Sequence, residues 1–111
     1  MNVIPPTDHG PLQDALIVHI ESDFEPLMSK FMANRKKEVV TMREALAQQD
    51  LETVRKVAHG MKGAGGSYGF DHITLMATTI EHTAKNGTSA GLAEELDRLA
   101  VYLEQVQVIF D

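Results

Sequence analysis

The chain has 111 residues, 43% of them hydrophobic and 23% charged, which suits one domain able to bury a single core but not two. Zero cysteines exclude disulfides, thiol nucleophiles and thiolate metal sites, and a net charge of −6 argues against non-specific nucleic-acid binding. No apolar run approaches the roughly 18–20 residues of a membrane span, and Met1–Gly10 lacks the basic and apolar regions of a secretory signal, so a cytoplasmic protein off the membrane is expected.

Residues 1–21, with Pro5, Pro6, Gly10 and Pro11, read as an irregular lead-in. Within it Ala15–Ile20 is a short apolar run whose β-branched content favours an extended segment laid on the rest of the fold. Ser22 or Asp23 is predicted to cap the first long helix, with Glu25 in its first turn and Pro26 early enough to be tolerated. Phe24, Met28, Phe31, Val39, Met42 and Leu46 give that helix a buried stripe. Arg35, Lys36 and Lys37 form a charge run, read first as a solvated face and second as a docking patch. Gln48-Gln49-Asp50 breaks the pattern, and Asp50 caps a second helix over 51–68. Tyr68-Gly69-Phe70 is its exit turn, with Gly69 supplying a positive φ. Asp71 is predicted to cap the third helix, with the stripe Ile73, Met76, Ala77, Ile80 and Ala84, closed by Asn86-Gly87. The last helix is expected from Ser89, with a seam of Leu92, Leu96, Leu99, Leu103 and Val106, and Val106–Phe110 then shifts towards alternation.

Short connections between four amphipathic segments predict an all-α, antiparallel up-down four-helix bundle over about residues 22–105, in a single domain spanning 1–111. Four helices return the chain to the end where it entered. Leu16–Val18 and Val106–Ile109 can therefore meet there in a short backbone pairing that satisfies polar groups otherwise buried at the bundle's end.

The second helix carries the chemistry. Projected at about 100° per residue, Leu51, Val54, Val57, Ala58, Met61, Gly65 and Tyr68 fall on one side. His59 lies on the other, with Arg55, Lys62, Gly63 and Gly66 as helical neighbours. An imidazole with an unprotonated ring nitrogen can attack phosphorus, and its ordinary titration range keeps much of it neutral in the cytosol. Lys62, at i+3, can reach a phosphate on the same face, and Arg55, at i−4, could add to this. Gly63, at i+4, leaves clearance for a second protein's active site. Glycine inside a helix costs roughly 0.5–1 kcal/mol relative to alanine, so Gly60, Gly63, Gly65 and Gly66 need a reason, and close approach of a partner supplies one. Nε2 is the expected point of attack, because Nδ1 lies close to the backbone.

The pattern Ala58-His59-x-Met61-Lys62-Gly63, then Gly69, Ile73, Ala77, Ile80 and Glu81, resembles the histidine-containing phosphotransfer (Hpt) domain of multistep phosphorelays. The resemblance is specific over about 51–86 and extends as a helix pattern over about 22–104. It implies a four-helix bundle whose exposed histidine moves a phosphoryl group between receiver-domain aspartates without binding ATP. By position, His59 would be the phosphorylated residue, Lys62 the phosphate's neighbour, Gly63 the clearance residue and Gly69 the turn glycine, with Arg55 and Gly66 as secondary candidates. Gly65-Gly66 departs from the family's usual alanine or serine, which puts the regularity of the helix's last turns in question.

The other histidines, His9, His19, His72 and His82, have no lysine–glycine pair in register and read as surface or partly packed residues. No Glu stands three residues before a His and no two His are four apart, so no metal site is expected. With no glycine-rich nucleotide cradle, the chain is not expected to be an enzyme or to carry a cofactor. Mg²⁺ would sit on the partner receiver. The expected function is a relay step, from a receiver aspartate or a sensor histidine kinase to His59 and on to a response regulator, by a monomer. The alternative is a binding-only adaptor or kinase inhibitor that docks receivers or kinases without being phosphorylated.

Overall fold

Four amphipathic segments fold as helices: α1 over Glu25–Ala47, α2 over Leu51–Tyr68, α3 over Asp71–Lys85 and α4 over Leu92–Gln105. Two strands, β1 (Ile17–Ile20) and β2 (Gln107–Phe110), flank them in sequence. The computed structural model describes residues 16–111. His9 and most of the expected lead-in lie outside the described residues. α1 packs on α2 and α4, and α3 packs on the same two, closing a four-helix bundle.

The cores of the stripes are as the spacing predicts. Val54, Ala58, Met61 and Gly65 of α2, Ile73, Ala77, Ile80 and Ala84 of α3, and Leu92, Leu96, Leu99 and Leu103 of α4 are all buried. In α1 the run Met28, Phe31, Val39, Met42 has a vacancy one turn after Phe31, and Arg35 fills it. That corrects the solvated-face reading for this residue: Arg35 is buried, its guanidinium lies 4.7 Å from the Phe31 ring centroid, and it donates to both Glu38 oxygens at 2.7 and 3.0 Å. Its methylenes complete the stripe while its charge stays paired, as a buried cation requires. Lys36 and Lys37 remain exposed, and Lys36 reaches Glu104 of α4 at 3.4 Å.

Three helix starts differ from the sequence expectation. A 3₁₀ turn over Ser22–Phe24 precedes α1, whose cap position is Phe24, with no side-chain cap from Ser22 or Asp23. Asp71 stands inside the first turn of α3, where its charge still favours the helix dipole, and the buried Phe70 takes the cap position. α4 starts at Leu92 rather than near Ser89, because Gly91 at φ 84° turns the chain immediately before it. Asp50 caps α2 as expected: its carboxylate accepts from the Thr53 N–H at 3.1 Å and the Thr53 hydroxyl at 2.6 Å.

The chain ends pair, and the pairing is parallel, with Ile17 opposite Gln107 and Ile20 opposite Phe110. Parallel strands need a long connection between them, and here the whole bundle is that connection. Val18, Ile20, Val108 and Phe110 face the core, while Ile17, His19, Gln107 and Ile109 face out. Val106, counted in the α4 seam by spacing, is instead the first extended residue after the helix.

α2 is regular through Tyr68, so its glycines do not break it. Gly65 has a packing reason. A Cβ there would lie 2.9 Å from Thr74 Oγ1 and 3.1 Å from Ile73 Cγ2, so the missing side chain is what lets α3 approach. A Cβ on Gly60 would meet nothing within 4 Å. In urea unfolding, Gly60→Ala should therefore stabilise by about 0.5–1 kcal/mol, while Gly65→Ala should destabilise despite the same gain in helix propensity. Met61→Ala, at a fully buried position, should lose about 2–5 kcal/mol in the same measurement.

Candidate functional site

α2 and α3 form a tight hairpin. At its turn Gly69 takes φ 86°, and the N–H groups of Gly69 and Phe70 both donate to the Gly65 carbonyl. A residue with a Cβ resists that backbone, which is why glycine stands there. Further along, the Thr74 hydroxyl of α3 donates to the Lys62 carbonyl of α2 at 3.2 Å, fixing the two helices against each other beside the site.

His59 stands on the outer face of α2 with 65% of its side chain exposed. Its Nδ1 lies 2.8 Å from Glu81 Oε2, and Lys62 Nζ lies 2.9 Å from Glu81 Oε1. One carboxylate, itself only 16% exposed, thus holds both the imidazole and the ammonium. These two donors, Lys62 more than His59, hold the Glu81 carboxyl below the ordinary carboxylate range. An ionised carboxylate can only accept, so Nδ1 carries a proton, and in the neutral ring the lone pair is then on Nε2. That lone pair points away from Glu81 into the open. The expectation of Nε2 rests on the nearness of Nδ1 to the backbone; the structure shows Nδ1 engaged by a hydrogen bond to Glu81.

The other expected neighbours divide. A Cβ on Gly63 would meet nothing within 4 Å, so the surface beside His59 is open there. Gly66 is almost as open, with Thr74 Oγ1 3.9 Å from where its Cβ would be. Arg55 does not join the site: it is bound to Glu52, one turn earlier, through two contacts of 3.0 and 2.6 Å. Of the remaining histidines, His19 lies 3.2 Å from Asp111, His72 stacks on Tyr102, and His82 is exposed. Among the described residues no group of three His, Asp or Glu could hold a metal ion, and no helix is long and apolar enough to cross a membrane.

Glu81 is the residue whose role the sequence reading missed, although it stands in the pattern that carries the resemblance. A signal for it exists. In a hairpin that turns at Gly69, residues at similar distances from the turn come side by side; His59 lies ten residues before it and Glu81 twelve after.

The fold and site together define a helical bundle that presents the His59 imidazole to solvent beside Lys62, both on one carboxylate. The family model for the Hpt domain matches residues 26–108. The chain belongs to the Hpt-domain family, whose members are phosphotransfer modules of two-component signalling that interact with receiver domains and kinases and are not autonomous kinases. No curated protein and no solved structure gives a significant match.

The Glu81 contacts carry a pH signature. Because the folded carboxyl titrates lower than the unfolded one, its contribution to stability is present in full above the ordinary carboxyl range and is lost as pH falls through the depressed value. Thermal melts of the wild type and Glu81→Gln should therefore differ near neutral pH and converge as pH falls through that range. A gap that stays constant down to strong acid would contradict the assignment.

Proposed function

We propose that the protein is a phosphorelay intermediate in which His59 accepts a phosphoryl group from a receiver aspartate, or from a sensor histidine kinase, and passes it to a response-regulator aspartate. The observation that carries this reading is the Glu81 contact to Nδ1, which leaves Nε2 as an exposed nucleophile. In the step itself, the Nε2 lone pair attacks phosphorus, the Nε2–P bond forms, and the bond from phosphorus to the aspartyl oxygen breaks, releasing carboxylate. The ring then carries positive charge, with Nδ1–H directed at the Glu81 carboxylate, which favours that charge. The return step reverses these bonds. A ring still protonated at Nδ1 departs as neutral imidazole, so the same hydrogen bond assists donation.

Lys62 stands one turn from His59 and offers a cation for phosphoryl oxygens. Gly63 leaves the clearance that a receiver's active site needs. The Mg²⁺ and the aspartate come from the receiver, and the contribution of this chain is the positioned nucleophile. A binding-only adaptor would have no use for an imidazole and a lysine that share one shielded carboxylate. We place the protein in the cytoplasm, where such partners reside, and expect it to act as a monomer.

Three variants test the reading. With a phosphorylated receiver as donor, His59→Gln should accept no acid-labile phosphate while its helical circular dichroism is unchanged. Gly63→Gln should block transfer with His59 in place and the fold retained. Lys62→Ala should slow transfer or shift its equilibrium while the fold is retained, with stability lowered by no more than about 1 kcal/mol, as for a partly exposed ion pair. Labelling of His59→Gln, or labelling of wild type by Mg²⁺-ATP with no partner, would contradict it.

A further inference from the structure

The Glu81 carboxylate has two partners, and they stand differently towards a phosphoryl group on His59. Nδ1–H stays on Oε2, because the phosphoryl group goes to the other ring nitrogen. Lys62 is in a different position. Its ammonium sits on Oε1 of the carboxylate whose other oxygen meets Nδ1, whereas a phosphoryl group would be carried on Nε2. A phosphoryl dianion is also a stronger attractor for the ammonium than a single carboxylate charge. The Lys62 side chain has the freedom to move, being 35% exposed on a flexible four-carbon stem, while Glu81 is held between α2 and α3.

We propose that Lys62 exchanges partners on phosphorylation, leaving Glu81 for the phosphoryl group, so that the Lys62–Glu81 ion pair sets how firmly the domain holds that group. This rests on the reading of His59 as the phosphoryl-bearing residue. The free domain is stabilised by an ion pair that the phosphorylated domain must break, and the cost of breaking it lowers the occupancy of phospho-His59. Glu81 is thus a positioning residue with two opposed effects. Through Nδ1 it assists attack and donation, and through Lys62 it keeps the phosphorylated form poised to give the group up. A relay intermediate needs both, since a carrier that bound phosphate too firmly would end the relay.

A double-mutant cycle reads this directly. Wild type, Glu81→Gln, Lys62→Ala and the double variant are incubated with phosphoramidate and ammonium at one fixed ratio. The phosphoramidate P–N bond breaks, the Nε2–P bond forms and ammonia leaves, so the plateau ratio of phosphorylated to free His59, read by ³¹P NMR and mass mapping of the peptide, reports the equilibrium. Circular dichroism confirms that each variant is folded. Glutamine keeps an acceptor for Nδ1–H but carries no charge for Lys62. With Lys62 present, Glu81→Gln should raise the plateau ratio about two- to fivefold more than it does with Lys62→Ala, the range expected of a partly exposed ion pair. Equal increments in the two backgrounds would overturn the exchange, because Lys62 would then hold carboxylate and phosphoryl together. A lowered plateau in Glu81→Gln with Lys62 present would overturn it too, since Glu81 would then be aiming Lys62 at the phosphate. Failure of transfer from a phosphorylated receiver, with the coupling present in this cycle, would instead strike the relay reading alone.

Discussion

The site depends on how closely α3 can approach α2, and that distance is set at a residue with no side chain. Thr74 and Ile73 occupy the space that a Cβ on Gly65 would need. With the helices in contact there, and the Thr74 hydroxyl bound to the Lys62 carbonyl, Glu81 comes up two turns further along α3 directly beside His59 and Lys62. A few tenths of an ångström of separation at Gly65 would be passed along two rigid helices to hydrogen bonds of 2.8 and 2.9 Å, where distance matters most. Packing energy in the bundle is thereby turned into geometry at the surface.

A single shielded carboxylate then organises the charge. Were Glu81 absent, the imidazole would rotate freely and exchange its proton between two nitrogens, and Lys62 would be one more solvated lysine on the surface. Held by Glu81, the ring is engaged at Nδ1, and the cation is anchored on the same carboxylate. The glycines on the exposed side add no chemistry. They leave the surface low around Nε2, which suits a nucleophile whose proposed reaction partner is the buried aspartate of another protein.

Much of the bundle was legible because its signals are local and periodic. The stripes of α2, α3 and α4, the Asp50 cap and the Gly69 turn each follow from residues within one or two turns of each other. Helix starts were less legible where a turn rather than a side chain sets the boundary, as with the 3₁₀ turn before α1 and Gly91 before α4. Arg35 was misread because a charged residue in a run of charges has the pattern of a surface, and only the vacancy in the Met28–Met42 stripe betrays its place in the core. In the site, His59, Lys62 and Gly63 could be read from one helix face. Glu81 could not be given a role in that way, since its contacts span 22 residues of sequence and depend on the register of the α2–α3 hairpin. The same reasoning explains Arg55: spacing placed it near His59, but Glu52, closer in sequence, competes for it successfully.

The central claim is that Glu81 fixes the tautomer of His59 and so selects Nε2 as the reacting atom. It is tested most directly by ¹⁵N NMR of the ring nitrogens in histidine-labelled protein, before and after phosphorylation. The account predicts a proton on Nδ1 and a bare Nε2 in the neutral ring of the free domain, with ³¹P–¹⁵N coupling to Nε2 after phosphorylation. A neutral free ring protonated at Nε2, or phosphorus coupled to Nδ1, would contradict it.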